Sequence, residues 1–480
     1  MAARTVAVVV AAAAAAATTA AFDVDLEPCP DCPLPGWEVF DVPSYMVVPG
    51  TVAVSATDRA ESSGKGTPGA LPAAIETETI DNGVERPWAD EGYSELITFG
   101  GYSGTGLCTM YDRTEHLNGH TKCPLKKDWY KMWRPDANSF KPDYTCWIDD
   151  MTPIQQQSKL HNPPGTHTLI GNCPKAGSPI PNATFRGGAY DFRYGGIRPQ
   201  DDNPDAALYP TIAKHIEEKV ADKGLKVVIK GCSGGTINSY AFLMSQTQAW
   251  RDKHIKAWIP MSPVFGGTIT SLQSVLTGWQ VGGGDVGRCL GRSVAIHLPS
   301  VLWMWPHPGE NDADGLWNRT ETLVQTPSKN YTAYDLGEML TDMGLTRTKA
   351  LWELEKHDWL DAFPPPFVDT YSYYGYGTRS PAGWIVNHDF SPETDGPDKC
   401  PPNDMKTLTR TWDDGDQYPK RSNARAGVWA DAHAKAGFVL KNYGYKGQKH
   451  SCSCGVAQCT TDYACMMAKL EGKTPPANCK

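Results

Sequence analysis

The stretch Leu225 to Met244, LKVVIKGCSGGTINSYAFLM, constrains this chain more than any other. Val227, Val228 and Ile229 form a short β-branched run with no helical period, which reads as a buried parallel strand. It runs into Gly231-Cys232-Ser233-Gly234-Gly235, after which Ile237, Tyr240, Ala241 and Met244 fall at helical spacing. Strand, Gly-rich turn and helix are the setting that a G-x-S-x-G serine nucleophile requires. The glycines keep Cβ atoms out of a strained turn that lifts the Ser233 hydroxyl above the sheet. The backbone N–H of Gly234 then faces the oxygen of any carbonyl that Ser233 attacks. A plain turn whose serine caps the helix is the competing reading. Cys232 competes as nucleophile, but it falls on the strand side of the turn, where a free cysteine is a small buried hydrophobe.

The first residues bear on compartment. Arg4, the apolar run Val6 to Ala17 and the small residues Thr18-Thr19-Ala20-Ala21 read as a secretory signal over 1–21, with the mature chain starting near Phe22. The apolar run is too short to favour a membrane span, and nothing later reaches spanning length. Fourteen cysteines fit an oxidising compartment. So do sequons at Asn182, Asn318 and Asn330, which predict glycosylation. The expectation is a secreted or endolysosomal (vacuolar) lumenal protein. A net charge of −9 argues against nucleic acid as partner and leaves room for a lipid surface met through an apolar patch.

At 480 residues the chain exceeds one ordinary domain, so a core carrying a large insertion is expected. Residues 22–85 are a Pro/Gly/Ser-rich extension. Its Cys29 and Cys32 could form a redox pair or half a zinc site, but a disulfide is the expectation. Residues 86–267 read as the first part of the core. Leu96 to Phe99 make a strand that ends in the loop Gly100 to Gly104. A helix over about 205–222 follows from the stripe Ile212, Ile216, Val220, and His254 to Ser262 is the strand after the serine. Residues 268–395 lose the βα rhythm and read as an inserted cap, in which Trp303, Met304, Trp305 and Trp317 either pack the core, the favoured reading, or line a channel for an apolar ligand. Residues 396–480 complete the core.

That last part carries the remaining chemistry. Trp412 to Gln417 is an acidic turn, and His450 follows it. Ser, Asp, His is the chain order of an α/β-hydrolase triad. His450 would take the proton of Ser233, and Asp416 would orient the imidazole. His433 competes as base but sits in a helical pattern, Val428 to Phe438. Cys452, Cys454, Cys459, Cys465 and Cys479 near His450 could suggest zinc; in a secreted chain they are expected as disulfides, with Cys452 and Cys454 not bridging each other. No metal and no organic cofactor is implied.

Several segments together resemble the lecithin:cholesterol acyltransferase family, which includes lysosomal phospholipase A and the phospholipid:diacylglycerol acyltransferases. They are Cys123…Cys146-Trp147-Ile148-Asp149, Ala189-Tyr190-Asp191-Phe192-Arg193, Gln248-Ala249-Trp250, Ser262 to Gly267, Thr326 to Thr332, Asp414-Gly415-Asp416 and His450. The resemblance spans about 93–465. It implies an α/β-hydrolase fold with a cap and a membrane-contacting subdomain over 108–160 closed by a Cys123–Cys146 disulfide. It selects Asp416 over Asp413 and Asp414, and it implies a second oxyanion donor from Gly101 or Tyr102. It also implies that Trp129, Tyr130, Met132 and Trp133 meet a phospholipid membrane or lipoprotein-like surface; without it, the same aromatics would be expected to pack inward. Cys232 and Gly234 stand where the family usually has histidine and a large apolar residue. The reaction implied is transfer of an acyl group from a glycerophospholipid, through acyl-Ser233, to a lipid alcohol of sterol or diacylglycerol type or to water. A hydrolase fold without catalysis, used to bind lipid or protein, is the alternative.

Overall fold

The structure, a computed structural model, describes residues 94–480 apart from 103–105, 134–138, 140–143, 157–158, 171–172, 179–189, 196–207, 279–283, 308–316, 318, 356–362, 398, 401–408, 416–428, 478 and 480. The signal segment, Cys29, Cys32, Asn182, Asn318 and Asp416 therefore lie outside the described residues. In chain order the strands are β1 (Leu96–Phe99), β2 (Leu107–Asp112), β3 (Lys126–Trp133), β4 (Ile154–Gln156), β5 (Lys159–His161), β6 (Thr166–Ile170) and β7 (Val227–Cys232). They continue with β8 (Ile255–Met261), β9 (Val324–Gln325), β10 (Asn330–Tyr331), β11 (Thr370–Tyr376), β12 (Thr378–Ile385), β13 (Thr409–Gly415) and β14 (Leu440–Lys446).

A five-stranded sheet in the order β1-β7-β8-β11-β14 forms the centre, and every pairing in it is parallel. β7 lies inside this sheet and every residue of it is buried. That explains its unbroken Val-Val-Ile run: a strand covered on both faces has no polar face to alternate with. Helices Leu208–Lys223 and Gly234–Ser245 precede and follow it. Both the sheet and the helices are those of an α/β protein.

The segment 268–395 does not lie wholly outside the central sheet. β11 pairs in parallel with β8 and β14, so the sequence expectation of an insertion running to 395 is corrected: Thr370 to Tyr376 is core. Its Tyr/Gly-rich composition reads as loop, but tyrosine suits a pleated, half-buried surface. The rest of the segment builds helices Ile269–Leu276, Gly284–Ala295, Pro299–Trp303, Leu336–Asp342 and Thr346–Glu355. It also contributes β9, β10 and β12 to a second sheet, β10-β9-β12-β13. Trp303, Met304, Trp305 and Trp317 are buried in the same apolar cluster as Ile229 of β7 and Ile237 of the following helix.

β11 turns at Gly377, whose φ of 77° suits a residue without Cβ, into β12. β13 then returns antiparallel to β12, and the register places Gly415 opposite Thr378. The chain therefore arrives at residue 415 beside the carboxyl end of β11, on the edge of the sheet where β7 also ends.

A third sheet, β3-β2-β6, packs with helix Tyr144–Met151. Disulfides Cys108–Cys173 and Cys123–Cys146 tie it together. Among its apolar core residues lies a paired polar group. Arg113 bridges to Asp150 and donates to Thr166 Oγ1 at 2.9 Å, and the Tyr130 hydroxyl donates to Asp150. Burial pushes the Asp150 carboxyl above the usual carboxylate range against the pull of Arg113.

The membrane-contact expectation for β3 is corrected here. Trp129, Tyr130 and Met132 are buried, and Trp133 is half-buried against Phe192. Trp129 Nε1 donates to the Ser178 carbonyl at 3.0 Å, and Tyr130 is committed to Asp150. The alternation of lysines with large side chains is that of a half-buried strand: Lys126 and Lys131 are exposed, and the aromatics turn inward. Among the described residues the exposed large hydrophobics are Leu125 and Tyr144, next to Cys123 and Cys146. No helix among the described residues is long and apolar enough to cross a membrane.

Candidate active site

Ser233 sits where β7 passes into helix Gly234–Ser245, with φ 51° and ψ −126°. A non-glycine residue held there is strained, and the surroundings hold it. Its N–H donates to the Met261 carbonyl on the neighbouring strand end at 3.0 Å, and its carbonyl accepts from Thr236 N–H at 2.9 Å and Thr236 Oγ1 at 2.6 Å. The flanking glycines leave room for neighbouring backbone. A Cβ on Gly235 would fall 2.7 Å from the Phe99 carbonyl carbon and closer still to the Phe99 and Gly100 oxygens. A Cβ on Gly234 would fall 3.2 Å from the Tyr102 backbone nitrogen and 3.3 Å from Met304 Sδ. The loop after β1 is thus pressed against the helix start.

This places Gly234, Gly101 and Tyr102 around one point. Gly234 opens the helix, so its N–H has no acceptor within it. Gly101 faces the serine: a Cβ built on it would lie 3.6 Å from Ser233 Cβ. The loop is held from behind by residues of the Tyr190 to Arg193 segment. Tyr190 donates to the Gly100 carbonyl at 3.0 Å, and the Phe192 ring meets Tyr102 edge-on with centroids 5.3 Å apart. Arg193 is fully buried, bonded to Asp191 at 2.6 Å and to the Asp150 carbonyl at 3.0 Å. Burial raises the Tyr102 hydroxyl pKa well above its usual value, so that hydroxyl stays neutral.

His450 arrives from the other side. β14 ends at Lys446, Gly447 N–H donates to the Tyr376 carbonyl at 2.7 Å, and the chain turns so that His450 Nε2 lies 2.8 Å from Ser233 Oγ. The two are 217 residues apart in sequence. His433 is elsewhere: it lies on the buried face of helix Ala430–Ala436, its Nδ1 3.3 Å from the Trp429 carbonyl and its ring among Trp429, Phe367 and Phe438. Burial lowers its pKa.

The family model for lecithin:cholesterol acyltransferase matches residues 155–362. Chicken phosphatidylcholine-sterol acyltransferase is 27% identical over 319 residues, 60% of this chain and 73% of that protein. The human protein of that name is 25% identical over 73% of this chain and 80% of its own length. Human lysosomal phospholipase A and acyltransferase is 28% identical over 196 residues, 41% of this chain and 44% of that protein. Over these residues the chain is similar to proteins of the lecithin:cholesterol acyltransferase family.

The cysteine beside Ser233 differs from the sequence expectation. Cys232 is not a free buried thiol. It forms a disulfide with Cys452, two residues beyond His450. The partnership has no signature in the sequence, because it depends on β7 and the turn after β14 meeting at one sheet edge. The remaining tail cysteines pair as Cys454–Cys459 and Cys465–Cys479, and Cys289 pairs with Cys400. The twelve described cysteines are all paired, which fits an oxidising compartment.

A second residue near the histidine has a contact that its sequence segment does not announce. Ser262, directly after β8, has φ 45° and donates its N–H to the Tyr373 carbonyl at 2.8 Å. Its hydroxyl accepts from Ser451 N–H at 3.1 Å and donates to the Ser451 carbonyl at 3.0 Å. Asn330 is exposed in β10, on the short hairpin with β9.

Proposed function

We propose that this chain is a serine acyltransferase and phospholipase acting on glycerophospholipid acyl esters. The 2.8 Å contact between His450 Nε2 and Ser233 Oγ carries the reading. Ser233 Oγ attacks the ester carbonyl carbon while His450 takes its proton. The tetrahedral oxyanion meets the N–H of Gly234 and a second donor from Gly101 or Tyr102. The C–O bond to the lysophospholipid breaks, and the leaving alkoxide takes the proton from His450. The acyl group on Ser233 then passes to an alcohol of sterol or diacylglycerol type or to water, with His450 removing the acceptor's proton and returning it to Ser233. Asp416 orients the imidazole; the register that brings Gly415 to the end of β11 supports that role.

The lipid surface is met by Leu125 and Tyr144, which flank the Cys123–Cys146 disulfide beside exposed Lys122 and Lys126. Apolar tips among lysines suit an anionic interface. The chain enters the secretory pathway through residues 1–21, carries glycan on Asn182, Asn318 and Asn330, and works in a lumen or outside the cell.

The decisive experiment incubates the purified protein with acyl-labelled phosphatidylcholine vesicles, with and without sterol or diacylglycerol. Labelled sterol ester, triacylglycerol or free fatty acid is expected from wild type and none from Ser233→Ala. No reaction, together with no labelling by a fluorophosphonate, would leave the lipid- or protein-binding reading. Leu125→Asp/Tyr144→Asp is expected to weaken vesicle binding and spare hydrolysis of a short soluble ester. Unchanged vesicle binding would remove these two residues from the contact.

A further inference from the structure

We infer that the Cys232–Cys452 disulfide and Ser262 form a two-point clamp that fixes the catalytic base, and that Cys452 and Ser262 are positioning residues for His450. The inference rests on the reading of Ser233 as nucleophile and His450 as base. His450 lies in a turn beyond the end of the edge strand β14, and a turn is the least constrained place from which to hold a side chain to hydrogen-bond precision. The next two residues are both tied to the central sheet. Ser451 is gripped through both its N–H and its carbonyl by one hydroxyl, that of Ser262 at the end of β8. Cys452 is bonded covalently to Cys232, the residue before the nucleophile.

The two ties act from neighbouring strands. Cys232 ends β7 and Ser262 follows β8, and these strands pair at Cys232 and Met261. Ser262 is itself held, its N–H on the Tyr373 carbonyl of β11. The sulfur of Cys452 also borders the oxyanion loop, 3.6 Å from where a Gly101 Cβ would lie. The nucleophile, the base and the loop that receives the oxyanion are therefore joined through one covalent bond and one bifunctional hydroxyl. Catalytic geometry is sensitive at this scale: about 1 Å of misplacement can cost about 100-fold in rate. The disulfide makes the clamp responsive to thiols, since its Cys452 side lies in an exposed residue. Reduction converts one S–S bond and two thiols of the reductant into two cysteine thiols and one reductant disulfide, and the covalent half of the clamp is lost while the Ser262 hydrogen bonds remain.

The test compares wild type, Cys232→Ala/Cys452→Ala, Ser262→Ala and the triple variant on a short soluble ester, well below each melting temperature. Cys454→Ala/Cys459→Ala, a tail disulfide that does not touch Ser233 or His450, is the control. The expected result is a kcat lower by about 100-fold for the cysteine pair and by about 3- to 10-fold for Ser262→Ala, with KM within about two-fold in both. The triple variant should lose more than the product of the two, because each tie limits the freedom that the other's loss releases. Full kcat in Ser262→Ala and in the cysteine pair would overturn the clamp. So would equal losses in the cysteine pair and the control pair. If the cysteine pair does not fold, Ser262→Ala decides: its hydroxyl can be removed without touching a disulfide, and an unchanged kcat overturns the inference. Ser233→Ala separates this from the underlying reading. If Ser233→Ala is inactive and the clamp variants are normal, only the clamp fails; if Ser233→Ala turns over like wild type, the acyl-transfer reading fails.

Discussion

Gly235→Ala probes the contact on which the oxyanion geometry depends. A Cβ there would lie 2.7 Å from the Phe99 carbonyl carbon, with the Phe99 and Gly100 oxygens closer. These are backbone atoms at the end of β1, which pairs with β7, and in the loop that follows it, so no side-chain rotation relieves the clash. Either the helix start or the loop carrying Gly101 and Tyr102 must retreat by about 1 Å, and overpacking of this kind costs about 1–3 kcal/mol. That cost is survivable for a chain of this size. The catalytic cost is larger, because removing one oxyanion donor lowers kcat by about 10²–10³. The assay is turnover of a soluble ester and the rate of fluorophosphonate labelling, alongside thermal melting. The expected outcome is a folded protein, a few degrees less stable, with kcat and labelling rate lower by about 100-fold or more. Gly455→Ala, where a Cβ meets nothing within 4 Å, should match wild type. Wild-type turnover and melting in Gly235→Ala would refute the close approach of loop and helix.

Three further outcomes are expected. His450→Ala should lose about 10³-fold or more in turnover, whereas His433→Ala should lower the melting temperature and leave soluble-ester turnover of the folded protein nearly intact; the reverse pattern would exchange their roles. Asp150→Ala leaves Arg113 buried without its carboxylate and Tyr130 without its acceptor, so unfolding by denaturant should show a loss of about 3–5 kcal/mol, and a loss near zero would mean the pair is dispensable. His297 is held down to about 3 from 6.5, first by burial and then by Arg347 and Arg292. Between those values the unfolded chain takes up a proton that the folded chain refuses, so stability falls as pH drops from 6.5 toward 3. His297→Gln should soften that acid loss in melting curves at pH 7, 5 and 4, and parallel curves would dismiss the residue.

The strand, turn and helix around Ser233 were legible because their signal is local: a β-branched run, a Gly-rich turn and a switch to helical period fall within twenty consecutive residues. The chain order of Ser233 and His450 pointed to their meeting, since a fold of fixed topology presents its loops in fixed order. What failed depended on distant closure. The Lys126 to Trp133 segment mixes lysines with large aromatic residues, and an interfacial loop and a half-buried strand share that composition until Asp150 and Ser178 are known to face it. Thr370 to Tyr376 looked like insertion because its tyrosines lack an aliphatic core pattern, yet β8 and β14 flank it. The partner of Cys232 and the role of Ser262 are set by which strand ends become neighbours, and no window of sequence contains both halves of either contact.

The separation of 217 residues between Ser233 and His450 has a consequence for biosynthesis. At about 5–20 residues per second of translation, the serine is made roughly ten seconds or more before its base exists. The sulfur that ties the base to the elbow arrives two residues later still, and it closes only where oxidant is available. During that interval the nascent chain carries Ser233 without the histidine that faces it in the folded protein. Chain length thus acts as a safety delay, and production in a reducing cytosol would yield a polypeptide that completes its sequence without completing its active centre.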